Sequence, residues 1–132
     1  MVQVIKREWE IAKTYAHEVV MRNNLVSLDW TVFETQAGEG RPSVAVKADD
    51  LMAVRQLIRT AAEEIMRNIN GTLTGVIIVI AFRGDNTLMM EEIGGIRDSC
   101  DCFNDDVNVV WGIQQVDGLA NDRMVTIFAF EK

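Results

Sequence analysis

The chain has 132 residues, of which 48% are hydrophobic, and this is enough apolar material for one domain with its own core. Its formal net charge of −7 argues against nucleic acid, whose binding requires clustered Lys and Arg, and against an anionic membrane surface. The longest apolar run, residues 76–82, is too short to cross a bilayer, and the charged opening MVQVIKREWE does not resemble a signal peptide. We therefore expect a cytoplasmic protein with a single domain over residues 1–132.

The first third of the chain predicts a helix, a strand and a loop. Apolar side chains in residues 3–22, including Val4 and Ile5, recur at helical spacing, and Asn23-Asn24 ends the pattern. Residues 26–36 then alternate between apolar and polar, which predicts a half-buried strand. The segment AGEGRPS holds two glycines and the only proline, so it predicts a loop. An N-terminal helix is thus expected within residues 1–24 and the domain core within residues 25–131.

The middle of the chain predicts a second helix and a central strand. The helix begins near Asp49 or Asp50, either of which can accept a hydrogen bond from a first-turn N–H, and Asn70-Gly71 ends it. The unbroken apolar run at residues 76–82 is typical of a strand that is covered on both faces. The stripe of the helix consists of Leu51, Val54, Ile58, Ala61, Ala62 and Ile65.

The last third predicts a third helix over residues 88–103 and two strands over residues 107–114 and 123–130. The polar segment between the strands, QQVDGLAND, is much longer than a tight hairpin requires. The element order αβαβαββ implies parallel neighbours where a helix connects two strands, and a hairpin for the last two strands. We predict an α/β domain, describable as a two-layer α+β sandwich, in which helices pack on one or both faces of a four-stranded mixed sheet.

Residues that could carry chemistry form no recognised motif. The G-E-G of residues 38–40 lacks both nucleotide-binding glycine patterns and places an acid where phosphate would sit. His17 has no partner histidine, so we interpret it as a solvated helical residue. Cys100 and Cys102 predict one core thiol and one helix-flank thiol, with soft-metal binding or redox sensing as the alternative. The acids of residues 98–106 lack the glycine and distal glutamate of a calcium loop.

The sequence therefore predicts no metal, no cofactor and no catalytic residue, and this favours a binding or assembly module. A series of short motifs supports that direction. The motifs lie, in order, in residues 38–41, 75–81, 88–93, 104–112, 115–122 and 124–129. Together they resemble the C-terminal domain of FtsZ, the tubulin-like division GTPase of bacteria, over roughly residues 25–130. The resemblance implies a tubulin/FtsZ C-terminal-domain-like fold.

The GTPase half of that family has no counterpart in this sequence. The motif G-G-G-T-G-S/T-G does not occur, and the acidic N-x-D-x-x-D loop that completes the next subunit's GTPase site has no acceptable match. The resemblance therefore implies a non-catalytic domain that does not bind GTP alone, either as a stand-alone relative or as a fragment of a divergent family member.

In that family the domain contributes to a head-to-tail polymer contact and receives regulators. The resemblance thus implies self-association or a protein partner, and a link to bacterial cell division. Phe128 and Phe130 share a face of the last predicted strand with Met124, which favours self-association if that strand lies at a sheet edge. The candidate interaction residues lie in the predicted loops and helix exit: Gly38, Glu39, Gly40, Arg41, Asp105, Asp106, Gln115, Asp117, Asn121 and Asp122.

Two other hypotheses remain open at this point. The same small α/β layout is used by trimeric chorismate-mutase-like enzymes, whose sites lie between subunits. In such a protein Arg41, Arg83 and Arg97 would be the candidate residues for an anionic ligand. A purely structural homo-oligomer is the third hypothesis.

Overall fold

The computed structural model of the chain describes residues 2–5, 24–26, 30–49, 53–83, 103, 106–116, 119 and 121–132. Within these residues the chain forms six strands and two helices. In chain order the elements are β1 (Val2–Ile5), β2 (Asn24–Val26), α1 (Trp30–Glu39), β3 (Arg41–Ala48), α2 (Val54–Asn68), β4 (Leu73–Phe82), β5 (Asn108–Gln115) and β6 (Arg123–Glu131).

The six strands form one mixed sheet in the order β1-β3-β6-β4-β5-β2. Strands β4 and β5 are parallel, with Gly75 opposite Asn108 and Phe82 opposite Gln115, and every other neighbouring pair is antiparallel. The four long strands in the centre confirm the predicted four-stranded mixed sheet and the α/β class. Strands β1 and β2, with four and three residues, extend this sheet at its two edges.

The predicted hairpin of the last two strands is wrong, because β4 lies between β5 and β6. Strand β6 pairs with β3 on one side and with β4 on the other. It is therefore not at a sheet edge, which was the condition for self-association through Phe128 and Phe130. Neighbouring strands lie about 4.8 Å apart, and the connection must therefore cover roughly twice that distance across the end of β4. This crossing explains the long polar segment: it carries the chain over β4, with Val116 N donating to the carbonyl oxygen of Phe82 at 2.9 Å.

Residues 30–39 form helix α1 and not the predicted strand. The alternation of apolar residues there is short, and tertiary contacts override it. Phe33 is buried, and its ring packs edge-on against those of Phe128 and Phe130, with centroid distances of 6.4 and 5.1 Å. Gln36, one helical turn later, is buried as well. Helical spacing thus turns the side chains of Phe33 and Gln36 towards the sheet.

The structure also differs from the predicted elements at strands β1 and β3. Val4 and Ile5 belong to strand β1 and not to a helix, while residues 6–23 lie outside the described part of the chain. Strand β3 occupies residues that were predicted as the end of a loop or left unassigned. Only Gly40 separates α1 from β3, and a Cβ at this position would overlap the Thr74 hydroxyl. The third predicted helix lies outside the described residues, apart from the buried Phe103.

Helix α2 follows its predicted stripe closely. Val54, Leu57, Ile58, Ala61, Ala62 and Ile65 are its buried residues, and they join the core formed by one face of the sheet. The predicted cap is wrong, since the helix begins at Val54 and its N-cap residue, Ala53, makes no side-chain hydrogen bond. Asp49 lies before the helix and binds Asn121 instead. Asp50 lies outside the described residues.

The two described helices lie on opposite faces of the sheet. Ile78 and Ile127 are opposite each other and belong to the core beneath α2, whereas Phe128 points the other way and meets Phe33 of α1. All nine residues of β6 are buried, and so are nine of the ten in β4, as expected for central strands. The described polar loops lie at the two ends of the sheet, where the strands begin and end.

Candidate functional site

The predicted interaction residues that the structure describes fall at the two opposite ends of the sheet. We call the end where β3, β4 and β5 finish the upper end, and the end where they begin the lower end. Since β6 runs antiparallel to β3 and β4, it begins at the upper end and finishes at the lower end. Ten residues of β4 separate the two ends by roughly 30 Å.

A polar network joins three loops at the upper end. Asn121 donates from its side-chain amide to the backbone carbonyl and the carboxylate of Asp49, at 3.3 and 3.1 Å. The guanidinium of Arg83 forms an ion pair with Asp122, and the backbone N–H of Arg83 donates to the Asp122 carbonyl at 3.2 Å. Arg123 donates to that carbonyl at 3.1 Å. Because Phe82 lies opposite Arg123 in the sheet, residues 83 and 122 necessarily meet at this end.

The described residues of the upper network carry balanced charge. Their two carboxylates, Asp49 and Asp122, are matched in number by the guanidiniums of Arg83 and Arg123. The Arg83 and Asp122 side chains are 39% and 36% exposed, so their ion pair contributes at most about 1 kcal/mol to stability.

The lower end is organised around Glu131, whose side chain is 1% exposed. Its carboxylate accepts hydrogen bonds from the guanidinium of Arg41 at 3.2 Å and from the backbone N–H of Asn70 at 3.0 Å. Burial raises the pKa of Glu131, but hydrogen bonds from the Asn70 backbone, Arg41, the Gly71 backbone and Ser43 lower it by more. The net result is a pKa below the ordinary value of 4.5, so the carboxylate is ionised at neutral pH.

The predicted residues therefore divide into two groups. Gly38, Glu39 and Arg41 are exposed at the lower end, Gly40 is buried beside them, and Asp106 is exposed at the same end before β5. The half-buried Gln115, Asn121 and Asp122 lie at the upper end. The structure thus brings each group together and keeps the two groups apart. Asp105 and Asp117 lie outside the described residues.

The three arginines considered for an anionic ligand do not converge within the described chain. Arg41 lies at the lower end and Arg83 at the upper end, and each is ion-paired with a carboxylate. Arg97 lies outside the described residues.

The described ranges contain no group of three or more His, Cys, Asp or Glu side chains placed to hold a metal ion. His17, Cys100, Cys102 and the acids Asp98 and Asp101 lie outside those ranges. Among the helices of the described residues, none is long and apolar enough to span a bilayer.

Four residues escaped the sequence-based prediction: Arg123, Asp49, Glu131 and Met66. Arg123 completes the upper network, and Asp49 was assigned to a helix cap although it binds Asn121. Both depend on the strand order, which no local pattern encodes. Met66 is 51% exposed on α2, and a signal for it was present: it is an apolar residue between Glu63 and Arg67, off the predicted stripe.

Comparison with known proteins supports the fold. No protein-family model matches the chain, and no curated protein matches it. An empty FtsZ dimer structure from M. jannaschii matches 85% of this chain with a TM-score of 0.55 and 17% identity. A tryptophan-to-tyrosine mutant of FtsZ from M. jannaschii matches 94% of this chain with a TM-score of 0.55 and 13% identity.

At these identities the likeness concerns the fold alone. The matches cover only 34% and 40% of the FtsZ chains. This chain therefore has a fold similar to part of FtsZ and spans between a third and two fifths of the length of those structures.

Proposed function

We propose that this chain is a non-catalytic, cytoplasmic assembly domain that binds protein through the two ends of its sheet. The observation that carries the proposal is the likeness to FtsZ, which covers nearly all of this chain but at most 40% of the FtsZ chains. The proposal includes that GTP is neither bound nor hydrolysed by this chain alone. The link to cell division is part of the proposal and rests on the resemblance to FtsZ alone.

The separation of the two predicted groups suits a head-to-tail contact. A contact between the upper end of one copy and the lower end of the next uses two different patches, and such a heterologous contact closes a ring or propagates as a filament. The two patches lie at opposite ends of the same strands, so repeated contacts would stack the sheets end to end. Polar contacts link the strands at both ends: the upper network connects β3, β4 and β6, and Glu131 connects β6 to β3 and to the turn before β4.

The side chains at the two ends also suit a moderate, reversible contact. The lower end exposes Gly38, Glu39 and Arg41, with Arg41 75% exposed although it is paired with Glu131. The upper end presents the amide of Gln115 and the partly exposed pair of Arg83 and Asp122. Polar rims of this composition are typical of non-obligate interfaces, which bind without requiring the partner for folding.

Sedimentation velocity over a wide range of chain concentration, with and without GTP, tests the proposal. Head-to-tail assembly gives species that grow with concentration, and GTP leaves the distribution unchanged. Glu39→Arg blocks the lower end and Gln115→Arg blocks the upper end, so each variant alone stays monomeric. A mixture of the two variants forms a discrete heterodimer, because each contributes one working end. Glu34→Arg makes the same charge change as Glu39→Arg, but at an exposed position in the middle of α1, and it serves as the control.

The experiment separates the hypotheses clearly. A monomer at every concentration would leave a partner-binding domain that awaits another protein, and it would remove self-assembly from the proposal. A discrete trimer would instead favour the enzyme-like alternative, with anionic ligands to be screened at the subunit clefts. Growth that depends on GTP would contradict the proposal that this chain lacks a nucleotide response.

A further inference from the structure

We draw no further inference here: the strongest candidate, the largely apolar cavity between the end of α2 and the residues before β5, is lined by the exposed Met66, and nothing in the part of the chain that the structure describes shows what covers it.

Discussion

Asn121 and Asp49 are 72 residues apart in the sequence, yet the amide of Asn121 donates to both the carbonyl and the carboxylate of Asp49. The contact ties the residues just before β6 to the end of β3, the strand that pairs with β6 on the side away from β4. It therefore holds the crossing in place at the upper end.

Removal of this contact should loosen the upper end. Asn121→Ala deletes both donated hydrogen bonds, one of them to a carboxylate, and we expect the free energy of unfolding to fall by about 1 to 2 kcal/mol. Urea denaturation measures the change. Asn70→Ala is the matched control, because Asn70 contributes its backbone N–H, which alanine keeps, and its side chain is exposed. Equal losses in the two variants would contradict the assigned role of Asn121.

The close approach of α1 to β4 depends on a glycine. A Cβ at Gly75 would overlap the side-chain amide of Gln36, which is buried and donates to the Asn108 carbonyl at 3.0 Å. Gly75→Ala should therefore lower the free energy of unfolding by about 1 to 3 kcal/mol, as overpacking does. Gly38→Ala has the opposite expectation, since Gly38 lies in α1 with no atom near its added Cβ, and alanine favours a helix by about 0.5 to 1 kcal/mol.

A double-mutant cycle tests the cause of the Gly75 effect. If the overlap with Gln36 is responsible, Gly75→Ala costs less when Gln36 is already alanine, because the amide is no longer in the way. Additive losses in chemical denaturation would show that the strain arises elsewhere.

Phe33 tests whether residues 30–39 pack as a helix in solution. Its ring contacts Phe128 and Phe130 only because the helix turns it towards the sheet. Phe33→Ala should cost about 3 to 5 kcal/mol, the range for deleting a buried aromatic side chain. Glu34→Ala, at the next position on the exposed side of the helix, should change stability by less than about 0.5 kcal/mol. Under the strand interpretation the loss at Phe33 would be small as well.

Glu131 makes stability depend on pH in the acid range. Its pKa in the folded chain lies below the ordinary value of 4.5, so the ionised carboxylate stabilises the fold above that value. The stabilisation is lost as the pH falls through the folded pKa. The loss of stability caused by Glu131→Gln should therefore be greatest above pH 4.5 and shrink at lower pH.

Denaturation curves between neutral pH and the acid range measure this difference. Glu34→Gln makes the same chemical change at an exposed carboxylate and controls for the loss of one negative charge. A destabilisation by Glu131→Gln that stays constant across the whole range would show that hydrogen-bond geometry, and not ionisation, carries the effect.

Local pattern was sufficient for helix α2 and for strands β4, β5 and β6. Each is a helical stripe or an apolar segment of eight residues or more, so the residues that are buried together are also close in the sequence. The stripe of α2 and the apolar run of β4 needed no knowledge of their partners. The loop candidates were also found locally, because polar segments between apolar ones lie at the ends of elements.

Only the tertiary structure decided the rest. Whether residues 30–39 form a strand or a helix depends on Phe128 and Phe130, which lie about a hundred residues away and accept the ring of Phe33 only in the helical arrangement. Strand β6 lies between β3 and β4 because it pairs with both, and these strands are far apart in the sequence. The long segment between β5 and β6 permits this strand order but does not specify it. That order separates Glu39 and Arg41 from Gln115 and Asn121 by the length of the sheet. The sequence by itself determined which segments are buried and which are polar, while the strand order, set by long-range contacts, decided where the polar segments meet.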